Sequence, residues 1–282
     1  MLNHYLPRYY LKGFTESPTS QLVWIYERNT NNVFRAPVAK VACQHGFYSD
    51  SDEEYLANQI EGPANPVIQK VRERQDISAE DKILLSRYLS VMWRRVPDYR
   101  ERGEAIAPRV ADSVCDDFAE QLEMLRVQKP MNADVLDARR AELEELRAKY
   151  KVALPAAFKR EMQRPLLSER IARVLCDMTW YFLTADEGSR FIAGDNPLFY
   201  FESLGMRREH SEISVPISSS VLLWATWRTA LADVFLVAPP QIVREMNRRT
   251  AWVATRYLFH CKHEYWVQAL GNKTDYDLHR LP

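Results

Sequence analysis

Strand-like segments near both ends of the chain, helical periodicity through its middle and the absence of any internal repeat predict an α+β protein, predominantly helical. A small mixed β-sheet is expected from an N-terminal hairpin and C-terminal strands, with a helical block between them. Composition agrees: 46% apolar and 27% charged residues over 282 positions suit a packed chain rather than a disordered one.

Residues 22–26 (LVWIY) are β-formers, 28–32 (RNTNN) are turn chemistry, and 33–35 begin the return strand. Residues 38–48 read as extended or irregular, after which Asp50, Asp52, Glu53 and Glu54 suit a helix N-terminus. Over 53–73, Leu56, Ile60, Val67, Ile68 and Val71 follow a helical period, and Pro63 and Pro66 predict a kink or break. Ser78 with Asp81 resembles a capping arrangement ahead of a helix whose apolar face is Leu84, Leu85, Tyr88, Leu89, Met92 and Val96. A third helix carries Ile106, Val110, Val114, Phe118, Leu122 and Leu125 at intervals near four. Residues 133–150 are densely charged with a thin seam of Leu136, Leu143, Leu146 and Tyr150, a solvated helix. The expected organisation is one domain over 1–282, with 128–164 as a charged helical arm within it.

Residues 166–184 give the strongest amphipathic pattern, with Leu167, Ile171, Val174, Leu175, Met178, Tyr181 and Phe182 at spacings of 3 and 4. The period then shortens, and 190–193, 198–201, 213–218, 221–227 and 235–238 read as short strands. Pro239 and Pro240 punctuate the start of a helix carrying Ile242, Met246, Thr250, Val253 and Tyr257, and 265–269 is the last strand candidate.

Several function classes are disfavoured. Lys plus Arg equals Asp plus Glu at 38 each, so no net field draws the chain to nucleic acid or membrane. With 8 glycines there is neither a Walker A pattern nor G-x-G-x-x-G, and no G-x-S-x-G elbow occurs. The four cysteines are widely spaced with no C-x-x-C, and His260-Cys261-Lys262-His263 lacks a second ligand pair for zinc. No export pattern opens the chain and no stretch approaches the roughly 18 apolar residues of a membrane helix, so a cytoplasmic protein is expected, with no membrane partner.

Five polar clusters could carry chemistry. His4 opens an aromatic-rich terminus running through Pro7, Tyr9, Tyr10 and Phe14; it is a general acid or base, or a hydrogen-bonding residue that pins the terminus. Arg95 ends an amphipathic helix in Trp93-Arg94-Arg95-Val96-Pro97, either as an anion fork or as a C-terminal cap. Asp195 and Asn196 stand before Pro197 between two strand-like runs, in a plain turn or as a carboxylate site. Asn247 falls near an apolar helix face and needs an internal partner, while Glu61 reads as a surface carboxylate.

These clusters also carry a family likeness. His4-Tyr5-x-Pro7-x-x-Tyr10-Leu11-x-x-Phe14 resembles the opening H-Y-x-P-x-x-Y-L-x-x-F of the bacterial family termed domain of unknown function 4238. Phe47-Tyr48 before an acidic helix, Glu61, Asp195-Asn196-Pro197 and the Asn247 helix ending near Arg256-Tyr257 are similar too. So is Arg95-x-Pro97, where the family reads R-T-P and Val96 departs. The likeness spans nearly the whole chain and implies a shared set of polar residues rather than a known activity: His4, Glu61, Arg95, Asp195 and Asn247.

Two functions are expected. In the first, the terminus folds back so that His4 meets Asp195 with Arg95 beside it, a phosphodiester- or phosphoryl-acting hydrolase. His4 would be the general acid or base, Asp195 would orient it or hold a divalent metal, Arg95 would clamp an anion, and the expected partner is a nucleic acid or nucleotide. Tyr10, Glu61, Asn196 and Asn247 would contact substrate. In the second, the same residues form a buried lock, and the charged arm binds a partner or a second copy in a homo-oligomer. A pocket lined by Trp93, Trp180, Trp224 and Trp227 is a third reading, against the plainer one that these rings are core.

Overall fold

The computed structural model of the chain describes residues 2–152, 167–229, 231 and 234–281, so residues 153–166 of the expected arm lie outside it. The chain divides into two compact units, Met1–Val96 with Pro165–Pro282, and Pro97–Arg164.

The first unit opens with β1 (Leu2–His4), α1 (Arg8–Lys12) and the hairpin β2 (Leu22–Glu27) and β3 (Val33–Pro37), followed by β4 (Cys43–His45). Next come α2 (Asp50–Tyr55), α3 (Gly62–Arg72) and α4 (Ala79–Arg94). The expected kink is a π-helical turn over Leu56–Glu61. Pro63 and Pro66 have no amide to offer the carbonyls of Gln59 and Gly62, and their rings crowd them, so the helix widens just ahead of the prolines. The capping arrangement is present: Asp81 N donates to Ser78 Oγ at 3.1 Å and Ser78 N donates to Asp81 Oδ2 at 3.0 Å.

The second unit is a helical hairpin, α5 (Pro97–Gln128) and α6 (Ala133–Val152), turning through Pro130–Asn132. Arg147 with Asp116, Arg126 with Asp137 and Arg140 with Glu123 join the two helices.

The chain then returns to the first unit with α7 (Glu169–Asp177), β5 (Thr179–Ala185), β6 (Ala193–Gly194), β7 (Phe199–Tyr200), β8 (Glu212–Pro216), β9 (Val221–Thr226) and β10 (Phe235–Ala238). It ends in α8 (Pro240–Val253), β11 (Tyr257–His260) and α9 (Tyr265–Gly271). The fold is α+β with helices predominating, and the N-terminal hairpin does pair with a C-terminal strand, in the order β3-β2-β11-β6. Other strands form a five-stranded mixed sheet, β10-β5-β9-β8-β7, whose only parallel pair is β10 with β5. β1 and β4 form a third, two-stranded sheet.

Three elements differ from expectation. Tyr181 and Phe182 lie in β5, not in a helix continued from 166. This strand is sandwiched between β9 and β10 and buried on both faces, so its apolar residues show no period of two. Tyr257 starts β11 rather than ending a helix. Residues 265–269 are helical, with Val267 and Gly271 buried four apart. The four tryptophans of the suggested pocket take separate neighbours: Trp180 meets Phe182, Trp224 meets Tyr181, Trp93 meets Tyr200, and Trp227 donates to the Met206 carbonyl.

Candidate functional site

The aromatic terminus docks as a knot. Asn3 is fully buried: its Oδ1 accepts from Phe47 N at 3.0 Å and Tyr48 N at 3.4 Å, and its Nδ2 donates to Glu53 at 3.1 Å. Tyr48 Oη donates to the His4 carbonyl at 2.6 Å. Arg95, at the end of α4 and 3% exposed, reaches the same strand. Its Nε donates to the Tyr5 carbonyl at 3.0 Å, Nη2 to the His4 carbonyl at 2.5 Å and Nη1 to Glu61 Oε1 at 2.7 Å. A buried guanidinium is tolerated only with its donors and its charge both matched, and here two carbonyls and one carboxylate match them. Glu61 sits on the π turn and keeps partial access to solvent.

Arg72 repeats the device one helix earlier. It donates to the carbonyls of Tyr9, Tyr10 and Ile217, and a Cβ on Gly13 would lie 2.7 Å from the Ile217 carbonyl oxygen as well as 2.5 Å from Nη2, so glycine is required there. Tyr10 is 1% exposed with a hydroxyl that finds no partner among the described residues, and burial raises its pKa.

The His4 imidazole is half-buried, and its Nε2 donates to the Ala39 carbonyl at 3.1 Å. Burial lowers its pKa below 6.5 against that hydrogen bond, so the ring is neutral at pH 7.

Asp195 has other partners. It follows β6, is 5% exposed, and accepts from Thr255 N at 2.7 Å on Oδ1 and from Arg256 N at 2.8 Å and Tyr257 N at 3.0 Å on Oδ2. These amides are released where α8 ends and β11 begins, so the carboxylate caps that junction. Burial pushes its pKa up, and the three amides pull it down. His4 and Asp195 are therefore not hydrogen-bonded to each other. Tyr5 links them loosely: its carbonyl takes Arg95, and its hydroxyl, raised first by burial, also feels the Asp195 charge. Asn196 is buried beside Asp195.

From α8, Asn247 clamps the irregular segment 190–192 ahead of β6, accepting from Ile192 N at 3.0 Å and donating to the Arg190 carbonyl at 2.9 Å. It also lines a cavity of about 340 Å³ with Arg190, Arg244, His260, Lys262 and Trp266.

Of the seven candidates, Glu61 and Arg95 meet directly and His4 joins them through its backbone, while Asp195, Asn196 and Asn247 belong to the α8–β11 region. Arg249, two residues beyond Asn247, stands in the sequence only as one of an arginine pair with Arg248, and sequence reasoning gave it no role of its own. It is fully buried, donates to Glu212 at 2.8 Å, Glu245 at 3.1 Å and the His279 carbonyl, and lies over Phe199 and Phe201. Its one signal is Glu245 four residues earlier, which reads equally as a surface pair. Among the described residues, no group of three or more His, Cys, Asp or Glu side chains is placed to hold a metal ion, and no helix is long and apolar enough to cross a membrane.

No curated protein and no solved structure matches the chain. A family model described as protein of unknown function (DUF4238) matches residues 3–264, and the chain belongs to that family.

Proposed function

We propose that this DUF4238 protein is a non-catalytic interaction protein, in which the polar residues of the family opening lock the terminus and recognition falls to the helical hairpin. The observation that carries this reading is the commitment of Arg95: all three of its side-chain nitrogens are engaged, two by carbonyls of the terminus and one by Glu61. Asp195 is equally committed, both oxygens being held by main-chain amides. The hairpin, by contrast, leaves Ile106, Val114, Phe118 and Leu125 of α5 exposed at helical spacing, and a second copy of the chain is the proposed occupant. Light scattering on the full chain tests it: an oligomer that becomes a monomer in Phe118→Glu supports the reading. A monomeric parent, or an unchanged mass, removes the hairpin as a self-association surface.

A second reading keeps the hydrolase, acting on a nucleic acid or nucleotide. It is favoured by His4, whose neutral, half-exposed ring donates through Nε2 and so carries its lone pair on Nδ1, available as a base. Arg95 would hold substrate phosphate only by releasing Glu61, and Asp195 would act from the far side of Tyr5, alone or with a divalent metal. Incubation with DNA, RNA and nucleotides in Mg²⁺ and Mn²⁺ decides it. Turnover lost in His4→Ala is the expected result, and no turnover under any condition sinks it.

A further inference from the structure

We propose that the cavity on one face of α8 binds a small phosphate ester carrying a planar ring, a 5′-mononucleotide by size and chemistry. This inference depends on neither role proposed above for the N-terminal segment. At about 340 Å³ the cavity is at the lower end of the range for small-molecule sites, and Pro240, Val243 and Trp266 give it apolar walls.

Charge sets the first requirement. Arg190, Arg244 and Lys262 face Glu187 and Glu264 around the lining, an excess of one positive charge. Arg190 is spent on the carbonyls of Asp186, Glu187 and Ser189. Arg244 and Lys262 are exposed and form no ion pair among the described residues, so their donors are open to a phosphate, while Arg190 keeps its charge and tips the lining positive against Glu187 and Glu264.

His260 sets the second. It is 1% exposed, and its Nδ1 lies 2.8 Å from the Lys262 carbonyl and 3.2 Å from the Lys262 amide, so Nδ1 is served as donor or as acceptor by the same residue and Nε2 carries the complementary role. That Nε2 has no partner among the described residues. Burial lowers the ring's pKa, against the hydrogen bond to Lys262. A buried ring nitrogen without a partner is costly, and a ligand hydroxyl, which can donate or accept, would satisfy it.

Aromatic surface sets the third. Trp266 is 40% exposed, edge-on to His260 at 5.4 Å, and Tyr265 beside it is 80% exposed. Tyr265 continues to His263 at 5.5 Å, and His263 lies 4.8 Å from Trp24. Of these rings Trp266 lines the cavity, and an open ring beside cations is a surface on which a base stacks.

Titration calorimetry on the full chain tests this, with the four common 5′-monophosphates, their nucleosides and inorganic phosphate as separate probes. At least one monophosphate should bind roughly tenfold or more tightly than its nucleoside or phosphate alone. The double variant Arg244→Ala/Lys262→Ala should weaken it by a further factor of about ten or more. Both side chains are exposed, so an unchanged unfolding curve shows that the variant folds. Absence of binding at millimolar ligand, equal affinity for inorganic phosphate, or unaltered binding in the double variant overturns the proposal.

Discussion

At the scale of single residues, the buried polar groups separate into those whose partners are main-chain atoms and those whose partners are other charges. Arg95 has both, and replacing it with Met strands Glu61 and two carbonyls. A loss of about 3–5 kcal/mol is expected, read as a lower urea midpoint by tryptophan fluorescence, and Arg95→Lys should recover little because one ammonium cannot reach three acceptors in a fork. Asp195 makes the opposite test of charge. If the carboxylate is ionised and accepts three amides, Asp195→Asn turns an N–H donor toward other donors and costs about 3 kcal/mol; a near-neutral effect would mean the carboxyl is protonated in the fold. His260 adds a pH dependence. Its folded pKa is held below 6.5 by burial, so below that value the unfolded chain binds a proton the folded chain refuses. Stability therefore falls on acidification, by at most about 1.4 kcal/mol per pH unit from this group. His260→Gln should flatten the loss between about pH 7.5 and about pH 5.5, and an unchanged slope would assign the dependence elsewhere. The sequence marked His4, Glu61, Arg95, Asp195 and Asn247 as polar residues needing partners. It could not reveal which partners, because those of Asp195 and Asn247 are main-chain amides and carbonyls about 55 to 60 residues away in the chain.

At the scale of elements, what was legible is what is decided locally. The hairpin of β2 and β3 is written in β-formers around an Asn-rich turn, and Asn29 supplies the left-handed residue, with φ of 58°. The start of α4 is written in Ser78 and Asp81, and Ser78→Ala should cost about 1 kcal/mol by freeing the Asp81 amide. A shift of the thermal midpoint smaller than its error would mean that Asp81, bonded to Ser78 N and paired with Lys70 at 2.7 Å, suffices for the cap. β5 and α9 were misread because tertiary context decides them. Every residue of β8 and β9 is buried, so this sheet presents no alternation to read, and Tyr181 and Phe182 fall at helical spacing from α7 by coincidence of a strand following it directly. In α9 the aromatic run Tyr265-Trp266-Val267 looks strand-like, yet only Val267 packs inward.

At the scale of the whole molecule, the two units differ in what holds them. The first has fully buried sheet strands and the internal arginines Arg72, Arg95 and Arg249, bonded to carbonyls and carboxylates. In the hairpin of α5 and α6, the described apolar side chains that are buried are Ala107 and Cys115, with Leu122, Leu136, Leu143 and Tyr150 half-buried, and ion pairs of largely exposed partners add to this thin seam. Such pairs contribute about 0–1 kcal/mol each, less as salt rises, and long helices without a packed face are marginal in water. The hairpin should therefore unfold before the rest. All seven tryptophans, Trp24, Trp93, Trp180, Trp224, Trp227, Trp252 and Trp266, lie outside 97–164, so fluorescence is blind to that event while far-UV circular dichroism records it. On heating, ellipticity should fall in two steps, the first without a change in tryptophan emission and moving to lower temperature as salt is added. If the hairpin is held by a second copy of the chain, that first step should also move to higher temperature with protein concentration. A single transition, coincident by both probes and independent of salt and concentration, would mean the two units unfold as one and that the exposed stripe of α5 is neither weak nor waiting for a partner.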